Sequence, residues 1–163
     1  MFAFTKLMQA MVASGSVSDP QFYLTTLLLN TSSTNGAQNN TFLDSSTNNF
    51  TITRNGNTTQ GTFTPFSQTG WGTYFNESTS DFITVPNSTN FSFGTGDFTV
   101  EAWFYKTAAI TNSPLNNATG GTNVNYWAIG SYADGHYQFQ IRDSSSQAFV
   151  TGSILTSLNT WVH

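Results

Sequence analysis

Phe93-Gly94-Thr95-Gly96-Asp97-Phe98-Thr99-Val100-Glu101-Ala102-Trp103-Phe104-Tyr105 is the stretch whose reading decides the fold class of this chain. From Phe98 onward the residues alternate. Phe98, Val100, Ala102 and Phe104 fall on one side of an extended backbone; Thr99, Glu101, Trp103 and Tyr105 fall on the other. Both sides carry bulk, which predicts a central strand covered on both faces. Gly94 and Gly96 allow backbone angles that other residues resist. Asp97 is suited to bond nearby backbone N–H groups and fix the start of the strand. Glu101, set between aromatic residues, needs a partner if it is buried. The Trp103 indole N–H is expected to find an acceptor.

Shorter segments of the same texture lie on either side. Leu27-Leu28-Leu29 predicts a buried strand, and Phe50-Thr51-Ile52-Thr53 a half-buried one. Asn55-Gly56 is a strong turn signal after it. Residues 71–75 and 82–85 predict further strands, the second stopped by Pro86. Residues 111–125, rich in Asn and Gly, predict a long loop. Residues 126–129, 137–141 and 148–150 complete a series of short strands at regular spacing, the rhythm of a sandwich or jelly roll. The fold expected is all-β, an antiparallel β-sandwich jelly roll over residues 22–163.

The leading residues differ. Residues 1–14 read MFAFTKLMQAMVAS, rich in helix formers. Phe4, Leu7, Met8 and Met11 recur at helical spacing and predict a short amphipathic helix. Asp19-Pro20 then marks a turn, so residues 1–21 are set apart as an anchor and linker segment. Three readings compete for it: docking onto another protein, packing on its own domain, and a signal peptide. The last is poor, because the apolar run is short, Gln9 interrupts it and Lys6 is its one charge. A helix this short is marginal in water, so the first reading, an anchor with a partner surface, is preferred.

Composition bounds the function. Charged residues are 7% of the 163, against about 25% in an average soluble protein. Disorder does not follow, because 15 Phe, 6 Tyr and 4 Trp supply bulky apolar surface. Lys6, Arg54, Lys106 and Arg142 are scattered and the net charge is −4, which argues against binding a nucleic-acid backbone. No apolar run is long enough to span a membrane as a helix. The chain has no cysteine, which excludes disulfides, thiolate metal sites and a cysteine nucleophile, and suits assembly in a reducing cytoplasm.

Several stretches in order resemble the laminin-G-like, concanavalin A-like domains of tail-fibre and other virion structural proteins of marine phages, cyanophages especially. They are Leu27-Leu28-Leu29-Asn30, Phe42-Leu43-Asp44-Ser45-Ser46, Asn49-Phe50-Thr51-Ile52, Tyr74-Phe75 and Asp81-Phe82-Ile83-Thr84-Val85-Pro86. The stretch from Phe93 to Tyr105 is the most specific of them, and Asn159-Thr160-Trp161-Val162-His163 looks like the start of the next central strand. Relatives often carry Asp-Gly after the residue matching Phe75; here Asn76 and Glu77 follow, which weakens any ligand role for that acid. Such domains continue beyond the position of His163, so the sandwich is expected to be incomplete at that end. The resemblance implies a virion structural protein, a tail-fibre or tail-associated component assembled in the host cytoplasm. It would attach through its N-terminus, form a homotrimer with itself and contact other virion proteins and host-surface glycans. A capsid decoration protein or a secreted bacterial adhesin or lectin module are the runners-up.

Chemistry is sparse. Of the eight acids, Glu77, Asp81, Asp97, Glu101, Asp134 and Asp143 are the candidates for paired-carboxylate catalysis, and they form no alternating pattern on one strand, so no catalytic residues are expected. His136, after Asp134-Gly135, reads as a hairpin residue. No cofactor is expected; calcium at the loop acids Asp81, Asp134 and Asp143 is a weak alternative. Tyr126, Trp127, Tyr132 and Tyr137 are the candidate glycan-contact aromatics, each weighed against a role in the core. The Asn-x-Ser/Thr triplets at Asn30, Asn49, Asn57, Asn76, Asn87, Asn90 and Asn117 follow from composition alone.

Overall fold

The computed structural model describes residues 2–3, 19–29, 41–66, 72–76, 80–109, 111–117, 126–132, 134–143, 145–153 and 155–163. The chain divides into two compact units, Met1–Phe104 with His163, and Tyr105–Val162. The regular elements among the described residues are β-strands apart from two single turns of 3-10 helix, Phe22–Leu24 and Thr89–Phe91. The strand pairs described below are all antiparallel. The all-β antiparallel class expected from the sequence is the class observed.

The first unit is built from very short strands: β1 (Phe2–Ala3), β2 (Thr53–Asn55), β3 (Thr59–Gly61), β4 (Gly72–Tyr74) and β5 (Phe82–Thr84). β6 (Trp103–Tyr105) begins in this unit and ends in the second. The Asn55-Gly56 turn is present, with Gly56 at φ +61°. It does not make a hairpin of the strands it joins, because β2 pairs with β5 and β3 with β4. A side chain at Gly56 would collide with the Asp81 carboxylate and the Ser80 carbonyl. Asp81 sits there because it accepts the backbone N–H groups of Asn57 (2.7 Å) and Asn76 (3.1 Å), tying two turns together.

Between these strands the backbone is held by side chains. The strand expected at 27–29 is reduced to one bridge, Leu29 to Asp44, and a second bridge joins Leu43 to Thr51. Asp44 replaces the missing ladder. It is 4% exposed, and its carboxylate accepts N–H groups from Leu28 (3.0 Å), Ser46 (2.8 Å) and Phe50 (2.9 Å). The Ser46 hydroxyl lies 2.8 Å from the same carboxylate and 3.0 Å from the Thr26 carbonyl. Burial pushes the Asp44 carboxyl up, but the three backbone N–H donors and the hydroxyl outweigh it and hold it below 3.8.

The stretch that decided the fold class differs in detail. β6 covers only Trp103–Tyr105, and its partners across β1 are the two residues Phe2 and Ala3. Phe98 is 42% exposed; its ring stacks on Phe93 at 3.9 Å across the turn made by Gly94, at φ +58°. The alternation holds further on: Ala102, Phe104 and Lys106 are buried, whereas Trp103 and Tyr105 are half-buried and Glu101 is exposed. The two faces are therefore covered unequally, and Glu101 needs no buried partner. The Trp103 N–H is buried with no acceptor among the described residues. Rings surround it instead: His163 stacks on it at 5.0 Å and Phe66 meets it edge-on at 5.4 Å.

The expected helix at the leading end is corrected at its first residues. Phe2 and Ala3 form β1, opposite Phe104 and Trp103. Pairing with β6 overrides the intrinsic helix preference of the segment. Phe4, Leu7, Met8 and Met11 lie outside the described residues.

The second unit contains β7 (Asn112–Asn116), β8 (Tyr126–Ser131), β9 (Tyr137–Arg142), β10 (Gln147–Thr151) and β11 (Trp161–Val162). The first four make a meander in the order β10-β9-β8-β7. Residues 112–116, expected in a loop, form the edge strand β7. Its sequence, Asn-Ser-Pro-Leu-Asn, hid it: Pro is confined to edges and bulges, and the register does shift between Asn112 and Leu115.

Replacing Asp44 with Ala is expected to cost on the order of 4 kcal/mol, since one buried and two part-buried N–H groups lose a charged acceptor. The carboxyl is held low in the folded state, so its contribution is present above about pH 3.8 and is lost as pH falls through the folded value. Denaturant unfolding of the wild type and Asp44→Asn between pH 7 and pH 2.5 checks this; an equal acid dependence in the two proteins would contradict it.

Candidate functional site

The four-stranded sheet of the second unit presents two chemically different faces. The pairings Tyr126 to Arg142, Ala128 to Gln140 and Gly130 to Gln138 set one face, and Gln147, Phe149 and Thr151 join it from β10. This face is polar, with small residues at the centre of β8. Its amides are linked: the Tyr132 hydroxyl donates to Gln138 Oε1 (2.8 Å), Gln138 Nε2 to Thr151 Oγ1 (2.9 Å) and Gln147 Nε2 to Gln140 Oε1 (3.0 Å). Phe149, directly across from Gln140, is 61% exposed. An open aromatic ring beside flat, oriented amides offers a stacking surface and hydrogen-bonding groups in one plane.

The opposite face is apolar: Trp127, Ile129, Tyr137, Phe139 and Ile141 lie on it, with Ala148 and Val150 from β10. Trp127 is buried and its ring lies 6.4 Å from that of Phe139. Tyr137 is half-buried, and burial pushes its phenol up to about 12. The Lys106 Nζ lies 6.0 Å from the Tyr137 ring centre and donates to the Tyr132 carbonyl at 3.1 Å. Burial pulls this ammonium below its ordinary value, and the nearby Asp134 charge opposes the shift.

The turns that join the strands use their acids internally. Asp134, Gly135 and His136 form the β8–β9 turn, with Gly135 at φ +96°. Asp134 accepts the His136 N–H at 3.1 Å and faces His136 Nδ1 at 3.2 Å; these contacts, the backbone one first, hold its carboxyl below the usual range. Asp143 in the β9–β10 turn accepts the N–H groups of Ser145 (2.7 Å) and Ser146, which likewise keep its carboxyl low. Asp81 is engaged by Asn57 and Asn76, as described above. The three calcium candidates are thus all in use as turn acceptors, and no group of three or more His, Asp or Glu among the described residues is placed to hold a metal ion. Asp97 and Glu101 are exposed, and Glu77 lies outside the described residues.

A laminin-G family model, described as the concanavalin A-like lectin/glucanases superfamily, matches residues 76–163. The chain belongs to this superfamily. The matched stretch covers the whole four-stranded sheet of this laminin-G-like domain. No curated protein and no solved structure matches the chain.

The four aromatics chosen from the sequence of this laminin-G-like chain do not form one group. Tyr126 and Tyr132 stand on the glutamine face; Trp127 and Tyr137 stand on the apolar face. Sequence reading missed Phe149, Gln138, Gln140 and Gln147. The signal was present in Gln138-x-Gln140 and Gln147-x-Phe149, spaced by two as one face of a strand requires.

Tyr137 is expected to ionise near pH 12, and Tyr137→Phe should remove that late phase from an ultraviolet titration. Its folded value is raised, so its contribution to stability is present below about pH 10 and is lost as pH rises through 12. A titration with no phase above the ordinary phenol range would place Tyr137 in solvent.

Proposed function

We propose that this chain is a non-enzymatic, lectin-like module of a bacteriophage particle that binds surface glycans through the glutamine face of its four-stranded sheet. The observation that carries the binding reading is the exposed Phe149 ring beside the hydrogen-bonded amides of Gln138, Gln140 and Gln147. A pyranose has an apolar face that stacks on such a ring and equatorial hydroxyls that pair with flat amides. Tyr126, Tyr132 and Arg142 border the same surface. Membership in a superfamily named for lectins and glucanases supports sugars as the ligand class. The engagement of Asp81, Asp134 and Asp143 in turns supports binding without hydrolysis.

The setting on a virion, in a tail fibre or tail-associated position, is supported by the resemblance carried by residues 93–105 and by the cysteine-free, Asn- and Thr-rich composition. Residues 4–14 would supply the attachment to neighbouring virion proteins. Residues 2–3 belong to the domain's own sheet through β1.

Binding to a panel of bacterial lipopolysaccharides and algal polysaccharides is the direct test of the glycan reading. Phe149→Ala is expected to weaken binding at least tenfold, about 1.4 kcal/mol, while Tyr137→Phe leaves it unchanged. Equal loss in both, or binding that survives Phe149→Ala with Gln140→Ala, would move the site elsewhere. For the attachment, the triple variant Leu7→Asp, Met8→Asp, Met11→Asp keeps β1 intact and should fold normally yet fail to enter particles. Normal incorporation would refute that role.

A further inference from the structure

The two edges of the four-stranded sheet are not alike. At the β7 edge, Pro114 lacks an N–H and the register shifts between Asn112 and Leu115. Proline and bulges are the devices that stop another strand from adding to an edge. The β10 edge has neither. It reads Gln147-Ala148-Phe149-Val150-Thr151, with no charge, no proline and an unbroken register against β9. All five residues are exposed, and no described strand pairs with the outer side of β10.

The hydrogen bonds flanking β10 show which of its backbone groups face outward. Gly152 N–H donates to the Tyr137 carbonyl at 2.8 Å, and Asp143 N–H donates to the Ser146 carbonyl at 2.9 Å. Ser146 and Gly152 therefore bond towards β9, and by the two-residue period of an antiparallel ladder so do Ala148 and Val150. The N–H and C=O groups of Gln147, Phe149 and Thr151 point away from the sheet.

We propose that a second copy of this chain pairs at this edge, β10 against β10, antiparallel about a two-fold axis through Phe149. The outward positions are symmetric about that residue. Phe149 opposes Phe149 and Gln147 opposes Thr151, so each outward N–H meets an outward C=O. Such self-complementarity is what an isologous interface requires, and an uncharged edge adds no repulsion when it meets itself. The pair differs from the threefold assembly implied by the sequence resemblance. It also sets the two Phe149 rings side by side on one continuous glutamine face, with Cα atoms about 5.5 Å apart. The contact is small, so association in the micromolar range is expected.

Sedimentation velocity on the full chain from about 1 to 200 µM tests this. The weight-average mass should rise from 17.8 kDa towards twice that value. Gln147→Pro removes an N–H that faces away from β9, so the sheet keeps its own bonds; the variant should keep the wild-type circular dichroism and stay monomeric. Phe149→Lys sets like charges across the axis and should weaken association at least tenfold. Residue-resolved amide exchange should slow at least tenfold with concentration at residues 147, 149 and 151, and stay constant at 148 and 150. A monomer at 200 µM, a trimer, a dimer indifferent to both substitutions, or protection of the Phe149 amide that does not change with concentration would each overturn the proposal.

Discussion

The constraint on which the first unit depends is the need to satisfy buried backbone N–H groups without long strands. Its ladders are three residues long or shorter. Asp44 meets the need where pairing stops, gathering Leu28, Ser46 and Phe50 onto one buried carboxylate. An unpartnered buried N–H costs as much as a lost hydrogen bond, so this group does for residues 28–50 what a ladder does elsewhere. Asp81 repeats the device between two turns, and Asn117 Oδ1 does so in the second unit by accepting the Trp127 N–H at 2.7 Å.

This explains a composition that looks unsuited to a stable core. Among the described residues the fully buried side chains include Thr58, Thr73 and Ser131, and the buried apolar set is small: Phe42, Ala102, Phe104, Trp127 and Ala128. Order in such a chain rests on directional bonds from short polar side chains as much as on apolar burial. Many large apolar residues remain open, among them Val150 at 73% and Phe149 at 61%. Their distribution carries meaning, because both lie on the strand whose edge is unprotected.

The second unit supplies what the first lacks, a regular sheet with two distinct faces. The period of two along β8, β9 and β10 separates glutamines from aromatics without any help from loops. The proposed glycan contact rests on which aromatic ring the sheet leaves open. Trp127 and Tyr137 are withdrawn against Phe139 and Lys106, whereas Phe149 stands beside Gln140 in solvent. In the two readings proposed above, the same strand would serve the ligand surface through its side chains and self-association through its backbone.

The sequence by itself determined the fold class, the positions of β4, β5, β8, β9 and β10, the Asn-Gly turn and the hairpin role of His136, because alternation and turn chemistry are local; it placed β2 too early, at 50–53 rather than Thr53–Asn55. It did not reveal β7, whose Pro114 reads as loop, or β1, whose helix-forming residues are drawn into extension by β6. It also overextended β6, because a strand is only as long as the ladder it joins, and the two-residue β1 lies about a hundred residues away. Only the tertiary structure decided that Tyr126 and Trp127 face opposite ways, that Lys106 is buried and that Asp44 organises the chain around it. Those outcomes depend on which segments meet in space, and cross-strand pairing is a property of two distant stretches at once, written in neither alone.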